Sequence, residues 1–277
     1  MKIQKHRLVG DDGLAVPFRE TPNKGGTLVP EYLVMHYTAG SSADSAIAWL
    51  CDARAKASAH LVIARDGAIT QLAPFNRVTW HAGVSQWAGR SGLNGCSIGI
   101  ELDNAGQLEQ VGGRWISGVS KRHYPDEDVL IARHRQQPAS APPSGWHEYT
   151  EAQIEAALAA GLAIVAHYGL RDVLGHEDIA PGRKTDPGPA FPLASFRARL
   201  LGRADDQPAR YAAATSLNIR TGPGTEFPTL PNSPLAAGTV LEVVEHQGVW
   251  WRVSLPDARD DRDGEGWVHS RYLQSLN

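Results

Sequence analysis

The stretch Tyr32-Leu33-Val34-Met35-His36-Tyr37-Thr38 decides the fold class of this chain. It is apolar on both of its alternating faces, the pattern of a strand in the middle of a sheet with cover on either side. Downstream, the spacing predicts a short helix from Ser42 or Asp44 to about Ala53, with Ile47, Leu50 and Cys51 on one stripe. Residues 58–64 and 68–72 flank Arg65-Asp66-Gly67, and an Asp-Gly turn between two such runs predicts a hairpin. Residues 96–102 read as a further strand, with Cys96, Ile98 and Ile100 on one face and Ser97, Gly99 and Glu101 on the other. A carboxylate two residues from a glycine has room beside it, which marks a candidate site.

From Ala105 to Glu148 the periodicity dissolves among Gly112-Gly113, Pro138, Pro142, Pro143 and Gly145. This predicts a long insertion without regular structure, a kind of segment that tends to be functional or disordered. Order returns at Thr150 and Gln153, which form a capping box. Ile154, Leu158, Leu162 and Val165 follow at helical spacing until Gly169 ends the run. A strand over residues 172–176 then leads into a loop whose two Pro-Gly pairs fold it back between His176 and Asp186. Strands alternating with helices make this an α/β fold. The expected layout is an N-terminal extension (1–27), a main domain (28–201, with the insertion at 105–148), a polar linker (202–210) and a small all-β domain (211–277). That last domain is near the lower size limit for independent folding.

The 277 residues carry a hydrophobic fraction of 42% and a net charge of −3. Near-neutral charge without a basic face points to no nucleic-acid or membrane partner. Cys51 and Cys96 lie too far apart for a thiolate metal cluster and read as two buried free thiols. The opening residues are basic but lack the apolar run of a leader, and no stretch approaches the roughly 20 apolar residues that span a bilayer. The expectation is a protein made in the cytoplasm, acting there or outside after a non-standard release.

Among eleven histidines, His36 taken alone reads as a hydrogen-bonded core residue. His176 and Asp186 change that reading, because the proline-pinned loop can bring both together. Two imidazoles and a carboxylate, with one position left open, make a catalytic zinc site.

Five stretches then resemble one family: Tyr32 to Gly40, Ser58-Ala59-His60, Trp80-His81-Ala82-Gly83-Val84-Ser85, Asn94 through Glu101, and Gly175-His176 to Pro189. In this order they are similar to the type 2 N-acetylmuramoyl-L-alanine amidases, of the superfamily that includes peptidoglycan recognition proteins. The resemblance implies a central mixed β-sheet flanked by helices, and cleavage of the bond between N-acetylmuramic acid and L-alanine in peptidoglycan or muropeptides. It implies Zn2+ held by His36, His176 and Asp186, with Glu101 and Lys184 as catalytic residues. Glu101 takes the place of the general base and Lys184 that of the oxyanion stabiliser. Trp80 and His81 are expected to line the substrate cleft, His60 is read as structural or substrate-facing, and the insertion is expected to cap the cleft. The tail, with Leu217-Asn218-Ile219-Arg220-Thr221-Gly222-Pro223-Gly224, Val249-Trp250-Trp251-Arg252-Val253 and Gly266-Trp267-Val268, resembles a bacterial SH3-like barrel, which implies binding to wall peptides. A non-catalytic peptidoglycan receptor on the same fold is the alternative; the presence of all three ligands and both catalytic groups favours the enzyme.

Overall fold

A computed structural model describes residues 1–138, 140–202, 210–255 and 265–276. The central sheet has five strands: β1 (Tyr32–Tyr37), β2 (Leu61–Ile63), β3 (Ile69–Gln71), β4 (Ser97–Leu102) and β5 (Asp172–Gly175). Their spatial order is β5-β1-β4-β2-β3. All neighbours are parallel except β2 and β3, which form the expected hairpin around Gly67 at φ 84°. The sheet is therefore mixed. Leu33, Val34 and Met35 of β1 are fully buried, as a strand covered on both faces requires. Each such side chain removed from water contributes about 1.5–3 kcal/mol.

Helix α1 (Ala43–Leu50) is capped by a reciprocal Ser42–Ser45 pair and stops short of the expected Ala53. Asp52 there caps a separate 3-10 turn over Ala53–Ala55. Cys51 consequently sits at the helix end, half-exposed, and only Cys96 is buried; both thiols are free. Helix α2 (Glu151–Tyr168) has the predicted Thr150–Gln153 capping box and the Gly169 left-handed terminus. One of its expected core residues is on the surface: Leu162 is 45% exposed. The buried face instead runs through Ala157, Leu158, Gly161 and Ile164. A β-carbon on Gly161 would lie 2.8 Å from a Leu200 methyl of helix α4 (Leu193–Leu201), so this glycine lets the two helices approach closely. The first 27 residues are bound into the same body. Ile3 and Leu8 join the main core, and the amides of Arg19 and Thr21 donate to the carbonyls of Gln71 and Leu72.

The insertion overturns the expectation of irregular chain. It forms an antiparallel five-stranded sheet in the order His123–Tyr124, Arg114–Ser117, Gln107–Val111, Ser144–His147, Val129–Ala132. Gly112 and Gly113, at φ 58° and 78°, make the two-residue turn between paired Val111 and Arg114. Two consecutive positive φ angles match the twist of a hairpin, so the glycines join strands here. Trp146 is buried and donates its indole N–H to the Ala132 carbonyl.

The tail is a second antiparallel five-stranded sheet, ordered Glu265–His269, Trp250–Ser254, Val240–Gln247, Arg210–Ala213, Leu273–Ser275. Its core residues Leu217, Ile219, Leu241, Trp251 and Val253 share one apolar cluster with Leu130 and Trp146 of the insertion. The tail thus rests on the insertion sheet. Most of the expected linker (203–209) and the turn expected at Pro256-Asp257 lie outside the described residues. Among the described residues, no helix is long and apolar enough to cross a membrane.

Candidate metal centre

Parallel pairing sets the site. Glu101 of β4 stands directly beside His36 of β1, and Gly175 of β5 stands beside Met35. His176, the next residue and the first of helix α3 (His176–Ile179), is therefore carried level with His36. Asp186 returns to the same point because the loop closes on itself: the Glu177 amide donates to the Asp186 carbonyl at 2.8 Å. The amides of Arg183 and Lys184 both donate to the Ala180 carbonyl, at 3.1 and 3.0 Å.

The three predicted ligands converge. His36 Nδ1, His176 Nδ1 and Asp186 Oδ2 are each 2.9 Å from the other two. All three residues are buried, with His36 only 1% exposed. His176 Nε2 lies 3.1 Å from the Ala82 carbonyl, which can only accept, so the ring proton is on Nε2 and Nδ1 presents a lone pair. Burial and the neighbouring His176 lower the His36 pKa to about 4, so this ring is neutral near pH 7. Burial would raise the Asp186 carboxyl, but the adjacent His176 and His36 rings outweigh it and hold the group well below the usual carboxylate range. Two imidazole nitrogens and a carboxylate oxygen converging on one buried point call for positive charge between them. The donor set fits a divalent ion that accepts nitrogen and oxygen ligands.

Glu101 has its Oε2 buried without a hydrogen-bonding partner among the described residues. Burial first, and the Asp186 charge second, push its carboxyl well above the ordinary range, while Lys184 opposes them. Lys184 also acts electrostatically on His36, so its ammonium bears on both the acid and the ligand cluster.

The two aromatic residues expected to line a cleft are separated. Backbone alternation turns Trp80 outward, 38% exposed, and buries Thr79 and His81 on either side of it. His81 contacts the ligand instead: its Nδ1 is 2.9 Å from His36 Nε2, and it has no place on the surface. The room beside Glu101 that Gly99 seemed to offer is filled by this ring, since a β-carbon on Gly99 would lie 2.5 Å from His81 Cγ. His60 is structural: Nε2 donates to the Arg77 carbonyl and Nδ1 accepts the Gly99 amide.

Sequence reading missed the brace behind the loop. Glu177, 4% exposed, receives His134 of the insertion and, at 2.8 Å, Arg135 Nε. Gln136 spans the Glu177 carbonyl and the Gly182 amide, and Trp146 packs where a side chain on Gly188 would be. Tyr37 Oη meets Thr185 Oγ1 of the same loop at 2.8 Å. The insertion therefore packs against the ligand-bearing loop. An acid immediately after His176 was the one visible signal; its partners, over 40 residues earlier, had no periodicity to reveal them.

A sequence profile of the family described as N-acetylmuramoyl-L-alanine amidase matches residues 26–189. This chain belongs to that family. A bacterial SH3 domain profile matches residues 215–274. Among curated relatives of this amidase-family chain, the 1,6-anhydro-N-acetylmuramyl-L-alanine amidase AmpD of Escherichia coli (strain K12) is 37% identical over 147 residues, 52% of this chain and 59% of its own. The N-acetylmuramoyl-L-alanine amidase AmiD of the same organism is 33% identical over 225 residues, 78% of this chain and 65% of its own. The chain thus spans about three fifths of these relatives' lengths. AmiD from E. coli, solved in complex with the substrate anhydro-N-acetylmuramic acid-L-Ala-D-gamma-Glu-L-Lys, is similar at a TM-score of 0.45 and 30% identity, over 68% of this chain and 63% of that one.

Proposed function

We propose that this chain hydrolyses the amide between N-acetylmuramic acid and L-alanine in peptidoglycan or muropeptides, with zinc held by His36, His176 and Asp186. The observation that carries this reading is the meeting of three buried donors beside an unpartnered acid on the adjoining strand. Zinc suits two imidazoles and one carboxylate with a position to spare. When bound, it supplies Lewis acidity to the scissile carbonyl and acidifies water there.

Glu101 takes the proton from the attacking water and returns it to the departing alanine amine. Its raised proton affinity serves both halves, since a carboxyl moved up from its ordinary range is the stronger base and keeps the proton it must return. Lys184 stabilises the negative charge that develops on the carbonyl oxygen. The half-exposed Trp80 indole offers an aromatic face to sugar or stem peptide. The SH3-like tail binds wall peptides and so raises the local concentration of enzyme on an insoluble polymer. This favours intact wall over soluble fragments.

The test is product release. Zinc-loaded protein given a purified muropeptide yields a free muramyl sugar and a stem peptide with an L-alanine amino terminus. Binding without either product overturns the reading in favour of a receptor. Sacculi cleaved faster than soluble anhydro-muropeptide support the wall assignment; the reverse order supports recycling of fragments.

A further inference from the structure

The three residues that follow the short strand Arg77–Thr79 do more than pass near the site. The stretch Trp80-His81-Ala82 supplies the outer hydrogen-bonding partner of both ligand histidines: the His81 ring to His36 and the Ala82 carbonyl to His176. Asn94 Oδ1 holds this stretch by accepting the amides of His81 at 3.0 Å and Ala82 at 2.7 Å.

The direction of every proton along this chain can be worked out from groups that cannot change role. Ser97 Oγ spends its proton on the Leu93 carbonyl at 2.6 Å, so toward His81 it offers only lone pairs. The Ser97 carbonyl likewise only accepts. His81 Nε2 lies 3.2 and 3.3 Å from these two oxygens and must therefore carry the ring proton. The neutral ring then has a bare Nδ1, which accepts from His36 Nε2 at 2.9 Å. His36 in turn has its proton on Nε2 and its lone pair on Nδ1, directed at Asp186 and His176.

We propose that His81 is a positioning residue that fixes His36 as the Nε2–H tautomer, with the Ser97 carbonyl as the origin of the relay and Gly99 as the vacancy that admits the ring. The proposal rests on the reading of His36, His176 and Asp186 as metal ligands. A free imidazole favours neither nitrogen strongly, and a His36 protonated on Nδ1 has no donor pair to give the ion. Outer partners of ligand histidines commonly set ring orientation and basicity, and losing one costs about 10–100-fold in metal affinity or activity.

Two measurements test this. In zinc-free wild-type protein labelled with 15N-histidine, long-range 1H–15N correlations report the protonated nitrogen of each ring. The expected result is Nε2–H for His36, His81 and His176; a proton on His81 Nδ1 overturns the relay. Zinc dissociation constants are then measured by chelator competition for wild type, His81→Leu and His81→Asn. Asparagine keeps an acceptor near the Nδ1 position and leucine does not. His81→Leu is expected to bind zinc about 10–100-fold more weakly, with His81→Asn recovering most of the loss. Wild-type affinity in a folded His81→Leu overturns the proposal while leaving the metal site intact. A wild-type protein that binds no zinc overturns the metal reading itself. Should His81→Leu fail to fold, the wild-type tautomers still decide.

Discussion

Replacing Glu177 by alanine tests whether the insertion holds the ligand loop. The side chain is 4% exposed and joins the insertion through His134 and Arg135. Removing one member of a buried, hydrogen-bonded charge cluster costs about 3–5 kcal/mol. Two features of this cluster place the value at the low end. Arg135 has about half its side chain in solvent and keeps Asp178 as a partner, so its share is screened. His134 remains buried against Trp146 and becomes the orphan. The expected loss is therefore about 3 kcal/mol in guanidinium unfolding of the zinc-free protein. A double-mutant cycle with His134→Ala should return a coupling of about 1–3 kcal/mol. The backbone bond from the Glu177 amide to the Asp186 carbonyl survives the substitution, so zinc still binds, but less tightly. A variant within about 0.5 kcal/mol of wild type, the range of ordinary surface changes, refutes the brace.

Other substitutions probe the remaining parts. Gly99→Ala puts a methyl 2.5 Å from His81 Cγ, where carbon atoms sit about 3.5–4.0 Å apart; it should destabilise the fold by about 1–3 kcal/mol and weaken zinc binding, measured by unfolding and by chelator competition. Glu148, whose Oε1 is buried without a hydrogen-bonding partner among the described residues, has its pKa raised to about 7 chiefly by burial. The folded pKa exceeds the unfolded one, so its contribution to stability is complete below pH 4.5 and is lost as pH rises through 7. The difference in unfolding free energy between wild type and Glu148→Gln should shift against wild type by about 3 kcal/mol between pH 4 and pH 8; a pH-independent difference refutes the assignment. Lys184→Ala should reduce turnover about 100-fold or more without displacing zinc, as loss of one oxyanion partner does; unchanged kcat removes it from the chemistry.

Much of this architecture was legible because its signals are local. The uninterrupted apolar run at Tyr32–Tyr37, the Asp66-Gly67 hairpin and the Thr150–Gln153 box each carry their own geometry. The ligands were legible through chemistry, since a proline-pinned return from His176 to Asp186 leaves few arrangements. The insertion was not, because its strands are polar on one face and joined by glycines that equally mark loops; only pairing across Val111 and Arg114 separates the two meanings. His81 was misjudged for a related reason. Alternation along Thr79-Trp80-His81 gives opposite directions to adjacent side chains, and which one points inward depends on Gly99, in a different strand. Apolar periodicity locates surfaces; hydrogen-bonding partners between distant segments need the assembled fold.

The division of labour between Asp186 and Glu101 is open to one paired measurement of metal content and turnover. Purified wild type should hold one zinc per chain and release L-alanine-terminated peptide; Asp186→Ala should lose both, whereas Glu101→Ala should keep its zinc and lose release by about 100-fold or more. A Glu101→Ala protein empty of metal, or an Asp186→Ala protein with full zinc and normal turnover, contradicts the site described above.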